Sequence, residues 1–139
     1  YAPDIDDVSR SLNVSTSEII KQHTSVELEV FMMGFLPGFP YLGLLPEIFD
    51  LPRRVEPRVH VPPRSISVAA RQTTIYTIDS PGGWHLIGQT PVDFYDPNRE
   101  NPVLVKAGDK VSFFAINSKE YPAVRRALKA DEYPLIMDC

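Results

Sequence analysis

Gly34-Phe35-Leu36-Pro37-Gly38-Phe39-Pro40-Tyr41-Leu42-Gly43 is the stretch that sets the character of this chain. Three glycines and two prolines are interleaved with three aromatic rings. No helix interior or central strand accommodates that composition, because proline lacks a backbone donor and glycine loses the most conformational freedom on ordering. The stretch predicts a fixed loop that displays or buries its rings. Fourteen prolines in 139 residues extend the argument to the whole chain. They cut it into short elements joined by shaped turns, which favours a barrel or sandwich over a helical bundle.

Outward from that loop, residues Val26 to Met33 alternate enough to predict a strand entering the core. Further short strands are expected at Arg58–Val61, Ile66–Ala69, Thr73–Ile78, Trp84–Ile87, Val103–Val105 and Val111–Ile116, with Gly108-Asp109 as a tight turn between the last two. Two short helices precede the strands. Ile5, Val8 and Leu12 recur at helical spacing behind Asp4, Asp6 and Asp7, whose charges suit a helix start. Ser15-Thr16-Ser17-Glu18 reads as a capping box for the second. A final amphipathic helix is expected from Pro122 through Val124, Ala127 and Leu128. The expected architecture is mainly β and a single domain, with a helical lead-in over residues 1–25 and a β-barrel over residues 26–139.

Hydrophobic residues at 43% and charged residues at 23% are ordinary for a globular domain. The formal charge of −4 argues against nucleic acid as a partner, since phosphate binding needs a positive field. No apolar run approaches the ~20 residues that cross a bilayer, so no membrane partner is expected. One cysteine, Cys139, excludes an internal disulfide and fits a cytoplasmic location.

Charge is unevenly spread. Arg53, Arg54, Arg58, Arg64 and Arg71 are five of the nine arginines, and only Glu56 opposes them in that segment. Guanidinium forks bind carboxylate or phosphate in a bidentate fashion, so the cluster suits an anionic ligand. A solvated row paired with the acidic N-terminal helices is the alternative. Ser80-Pro81-Gly82-Gly83-Trp84-His85 is the second concentrated signal: Pro-Gly-Gly permits a tight turn and close approach of a ligand. Trp84, the only tryptophan, can stack on that ligand or pack in the core. His23, His60 and His85 lack the spacing of a zinc site, and no phosphate loop, dinucleotide fingerprint or nucleophile elbow occurs. Chemistry alone leaves the function open.

The order of the peculiar segments is more specific. The Gly34–Gly43 stretch is followed by Pro52-Arg53-Arg54-Val55-Glu56-Pro57-Arg58, then Val61-Pro62, Gln72-Thr73 and Ile75-Tyr76. After these come Ser80-Pro81-Gly82-Gly83-Trp84-His85-Leu86-Ile87-Gly88-Gln89-Thr90-Pro91, Asp96-Pro97 and Gly108-Asp109. This series resembles, over nearly the whole chain, the family of allophanate hydrolase subunit 1, the B-type 5-oxoprolinase subunits and the sporulation kinase inhibitor KipI. The resemblance implies a cyclophilin-like β-barrel, with the smaller α/β domain that precedes it in full-length members absent from this chain.

It also implies a non-autonomous subunit of a bacterial ATP-dependent 5-oxoprolinase, which hydrolyses 5-oxoproline to glutamate. The implied partners are a barrel-like, KipA-like C-type subunit of 5-oxoprolinase and its A-type subunit. ATP is used in the complex, with none bound to this chain alone. Two other roles are implied by other members: inhibition of a sensor histidine kinase, and membership of a carboxyltransferase unit in urea breakdown. In the 5-oxoprolinase reading Arg53, Arg54 or Arg58 holds the substrate carboxylate. Gln72, Tyr76, Gly82, Gly83 and Trp84 shape the pocket, and Pro37, Gly38, Phe39 and Tyr41 form its loop. The sequence departs from the family where Arg64, Ala70 and Thr74 replace glycines and where Thr77 replaces proline, which is expected to crowd or reshape the pocket loops.

Overall fold

The computed structural model describes residues 2–130; Tyr1 and residues 131–139, Cys139 among them, lie outside the described residues. The lead-in folds as two helices, α1 (Ile5–Leu12) and α2 (Thr16–His23). Asn13 ends α1 in the left-handed conformation at φ 55°, a role its short polar side chain tolerates. Ser15 Oγ accepts from the Glu18 amide at 3.1 Å, which is one half of the expected capping box. The Glu18 carboxylate accepts from Gln22 Nε2 at 2.8 Å, one turn further on.

The strands are β1 (Leu28–Met33), β2 (Pro40–Gly43), β3 (Arg58–Val61), β4 (Ser65–Ala69), β5 (Gln72–Ile75), β6 (Ser80–Gly82), β7 (His85–Gln89) and β8 (Lys110–Val111). They make a six-stranded antiparallel sheet in the order β7-β4-β5-β2-β1-β8 and a two-stranded sheet of β3 and β6. The fold is the mainly β one expected, with helices at both ends. No helix among the described residues is long and apolar enough to cross a membrane.

Two segments read as irregular are strands. Pro40–Gly43 is β2, at the centre of the large sheet, so the loop proper is Gly34–Phe39. Pro40 occupies the first position of the strand, where a missing N–H is tolerated. Gly43 leaves room for the Phe31 ring, whose Cε2 would stand 2.7 Å from an added Cβ. Ser80-Pro81-Gly82 is β6 rather than a turn. Its pairs with β3 are Arg58↔Gly82 and Val61↔Ser80, so Pro81 falls at the irregularity where no ladder donor is needed.

Two expected strands are much shorter: Val103–Val105 contributes a single bridge, Tyr95↔Val103, and Val111–Ile116 only Val111, the second residue of β8. The last helix, α3 (Glu120–Lys129), begins two residues before Pro122. Asn117 and Glu120 cap one another there: Glu120 N donates to Asn117 Oδ1 at 2.8 Å and Asn117 N to Glu120 Oε1 at 3.0 Å.

Paired residues of a sheet share a face, which divides the large sheet cleanly. Val30, Leu42, Thr73 and Val68 point one way, toward a core that also takes Val8 of α1, Ile19 of α2, Phe49 and Phe94. The lead-in helices are therefore part of the main core. Tyr41, Thr74, Ser67 and Leu86 point the other way. On that side Phe39, Val61, Tyr76 and Leu86 form a second, smaller cluster, with Leu36 and Tyr41 packed against it.

Candidate ligand site

The second face carries an unbroken series of rings. Phe35 meets Phe39 edge to face at a centroid distance of 5.3 Å, Phe39 meets Tyr41 and Tyr76 at 5.1 Å each, and Tyr41 meets Trp84 at 6.1 Å. Such T-shaped pairs add about 0.5–1.5 kcal/mol each beyond the area they bury. Phe39 and Tyr76 are buried, Tyr41 and Trp84 half-buried, and Phe35 exposed, so the row runs from the interior to the surface.

Three local features put it there. The Gly34–Phe39 loop closes on itself through Gly34 N to Phe39 O at 3.2 Å, and Thr77 Oγ1, just beyond β5, donates to Pro37 O at 2.6 Å. Gly38 adopts φ +69°, and an added Cβ would stand 2.9 Å from Tyr95 Cβ. Gly82 lies directly under Tyr76, where a Cβ would come within 2.7 Å of its Cζ.

Burial pushes the Tyr76 hydroxyl up to about 12; neighbouring Tyr41 adds to the effect, while Arg53 and the Trp84 backbone amide oppose it. Tyr76 thus stays a neutral phenol across the physiological range. Beneath Tyr41, the Ser67 and Thr74 hydroxyls bond to each other out of contact with solvent.

The clustered arginines divide. Arg54 Nη1 reaches Asp4 Oδ1 at 2.6 Å, and Arg58 Nη2 reaches the same oxygen. Asp4 Oδ2 accepts from the Leu86 amide at 2.8 Å, and the Asp4 amide donates to Leu86 O at 3.0 Å. Asp4 is 3% exposed, so both guanidiniums answer a buried carboxylate that also joins α1 to β7. Arg64 pairs with Asp93 at 3.5 Å, and Arg71 Nε donates to Leu45 O at 3.0 Å. Arg53 is exposed, its charge bears on the Tyr76 hydroxyl, and among the described residues it makes no ion pair.

The structure therefore brings together Pro37, Gly38, Phe39, Tyr41, Tyr76, Gly82 and Trp84, with Arg53 beside them. Gly83 O accepts from the Arg54 amide at 2.7 Å, at the edge of the group. Gln72 opens β5 opposite Gly43, on the same face as Thr74 and Tyr41 but at the far end of the strand from Tyr76. The alternative reading, arginines paired with the acidic N-terminal helices, holds for Arg54 and Arg58, although the sequence does not single out Asp4, 50 and 54 residues away, as the acid. Sequence reasoning missed the Ser67–Thr74 pair, for which only the β4–β5 register supplies a signal.

The fold and this face define a mainly β module of the cyclophilin-like class. The chain belongs to the family of the carboxyltransferase domain, subdomain C and D, which it matches over residues 1–105. It is 41% identical to the 5-oxoprolinase B-type subunit of Bacillus subtilis over 125 residues, 90% of this chain and 52% of that protein. An Emericella nidulans protein provisionally named a urea carboxylase is 30% identical over 130 residues, 87% of this chain and 10% of the relative. The crystal structure of the conserved uncharacterized protein PH0987 of Pyrococcus horikoshii superposes with a TM-score of 0.82 at 40% identity, covering 87% of this chain and 56% of that one. The chain thus spans about half the length of the Bacillus subtilis relative it matches.

Proposed function

We propose that this chain is the barrel portion of a B-type 5-oxoprolinase subunit. In this reading it acts with a barrel-like C-type subunit, and with the A-type one, to hydrolyse 5-oxoproline to glutamate at the expense of ATP. The observation that carries the reading is the 41% identity to such a protein over 90% of the chain. The site geometry supports it. 5-Oxoproline presents a flat lactam ring and one carboxylate. The half-buried rings of Tyr41 and Trp84 offer it a stacking surface, and exposed Arg53, which like Arg71 has no acid among the described residues but whose charge bears on Tyr76, is able to take the carboxylate. Tyr76, 1% exposed, lies behind those rings against Gly82 and supports that surface. Among the described residues nothing on this face supplies an activated nucleophile or a phosphate cradle, so ATP and the catalytic groups are assigned to the partner subunits.

The test is reconstitution, with ATP-dependent glutamate release as the readout. The chain alone is expected to give none; the complex is expected to be active and to lose about tenfold on Arg53→Ala, the scale of one charge-assisted hydrogen bond. Turnover by the isolated chain would overturn the reading. The likeness to the Emericella nidulans protein favours a second reading, a part of a carboxyltransferase unit in urea breakdown. Carboxyl transfer to urea by the assembled complex, without hydrolysis of 5-oxoproline, would select it.

A further inference from the structure

Helix α3 is held to the barrel by a set of polar contacts from Tyr121 and Arg125. Its Val124 and Leu128 join neither apolar cluster, and Tyr121, 8% exposed, is its buried side chain. Tyr121 Oη donates to Thr90 O at 2.9 Å, Arg125 Nη1 donates to Pro91 O at 2.8 Å, and the Arg125 guanidinium lies 2.8 Å from Asp93 Oδ2. The other oxygen of Asp93 faces Arg64 Nη1 at 3.5 Å, and Arg64 Nε stands 3.4 Å from the Tyr121 hydroxyl.

Arg64 itself sits at φ 67°, a left-handed conformation at one of the positions where glycine is expected from the family resemblance. A side chain there is strained, and the strain persists only where surrounding contacts hold it. Its backbone is equally engaged: Arg64 N donates to Tyr76 O at 2.6 Å, and Arg64 O accepts from Thr90 N at 2.9 Å. One residue therefore grips α3 with its side chain and the end of the aromatic row with its main chain.

We propose that Arg64, Asp93, Tyr121 and Arg125 form a charged latch. It holds α3 as a releasable strap, and Arg64 transmits the strap's docking to Tyr76 and so to Trp84. The latch operates whatever the aromatic row binds. Two facts favour release as a unit: the Asp93 carboxylate is 28% exposed and open to screening by salt, and the helix caps itself through Asn117 and Glu120.

The test is amide hydrogen exchange of the whole chain together with emission from Trp84, the only tryptophan. Asp93→Asn is expected to speed exchange of the α3 amides at least tenfold, to leave β4 and β5 protected, and to shift Trp84 emission. Arg125→Ala is expected to reproduce the faster exchange, and 1 M salt to do so in the unaltered chain. Arg64→Gly separates latch from strain. If the Arg64 side chain has no role in the latch, glycine relieves the left-handed backbone, the chain melts higher and α3 exchange is unchanged, which overturns the assignment. Unchanged α3 exchange in Asp93→Asn would likewise end it, as would loss of β4 and β5 protection together with α3. Faster α3 exchange with unchanged Trp84 emission would refute the coupling to the row.

Discussion

Gly82 is legible in the sequence as a position where backbone must come close to something; what it approaches is not. Its neighbour is the Tyr76 ring, a contact between β6 and the end of β5 that no spacing announces. Gly82→Ala is expected to destabilise the chain by about 1–3 kcal/mol, the cost of overpacking, seen as a lower urea midpoint with a changed Trp84 emission. His23 makes a second residue-level case. Read as one of three histidines without zinc spacing, it is buried between the Phe49 and Phe113 rings, with Nε2 3.0 Å from Thr73 Oγ1.

Thr73 donates its own proton to Ser67 O, so its oxygen accepts from the His23 N–H. Burial lowers the His23 value from 6.5 to about 4. Between those values the unfolded chain binds the proton and the folded chain does not. Stability therefore falls as pH drops below about 6.5 and goes on falling to about 4. The full loss is roughly 3 kcal/mol, at 1.36 kcal/mol per unit. Urea unfolding at pH 7 and pH 5 measures it, and His23→Leu is expected to flatten that dependence.

Elements are more legible than their limits. The helices, the strand Arg58–Val61 and the β4–β5 hairpin follow from periodicity. By contrast β2 is hidden by Pro40 and Gly43, and β6 by Pro81 and Gly82, because sheet position overrides the local preference of residues that can occupy a strand's first place or an irregularity. The glycine departures separate in the same way. Arg64 and Ala70 do take positive φ, as the family's glycines suggest, whereas Thr74 lies inside β5 with an ordinary strand conformation.

The arginine cluster is legible as a cluster but not by role, since only the α1–β7 contact brings Asp4 to Arg54 and Arg58. Arg58→Ala is expected to lower stability by about 1–3 kcal/mol, because Asp4 keeps Arg54 and the Leu86 amide. Asp4→Ala is expected to cost more, stranding two guanidiniums. Arg53→Ala should change the melting temperature negligibly, staying within about 0.5 kcal/mol. Thermal melts of the three variants side by side check the ranking, and equal effects would dissolve the division among the arginines.

At the scale of the molecule, the expected boundary between a lead-in and a barrel is a boundary of secondary structure and not of packing. Val8 and Ile19 are buried in the same cluster as Val30, Leu42 and Val68. Each such side chain stabilises by about 1.5–3 kcal/mol when buried, against a total of about 5–15 kcal/mol for a domain. Deleting residues 1–25 is therefore expected to abolish cooperative unfolding, leaving a chain with collapsed amide dispersion in its proton spectrum; a well-dispersed spectrum would show the strands self-sufficient. Asp4 has one more consequence. It is fastened through both main chain and side chain to Leu86, so α1 is pinned at its first turn. A spin label carried by the exposed Ser11 of α1 therefore starts from a fixed hinge point and an almost fixed direction. Its tumbling will report the rotation of the barrel and not the wandering of a tether, which makes this helix the place to attach a probe of how the chain is oriented in a larger assembly.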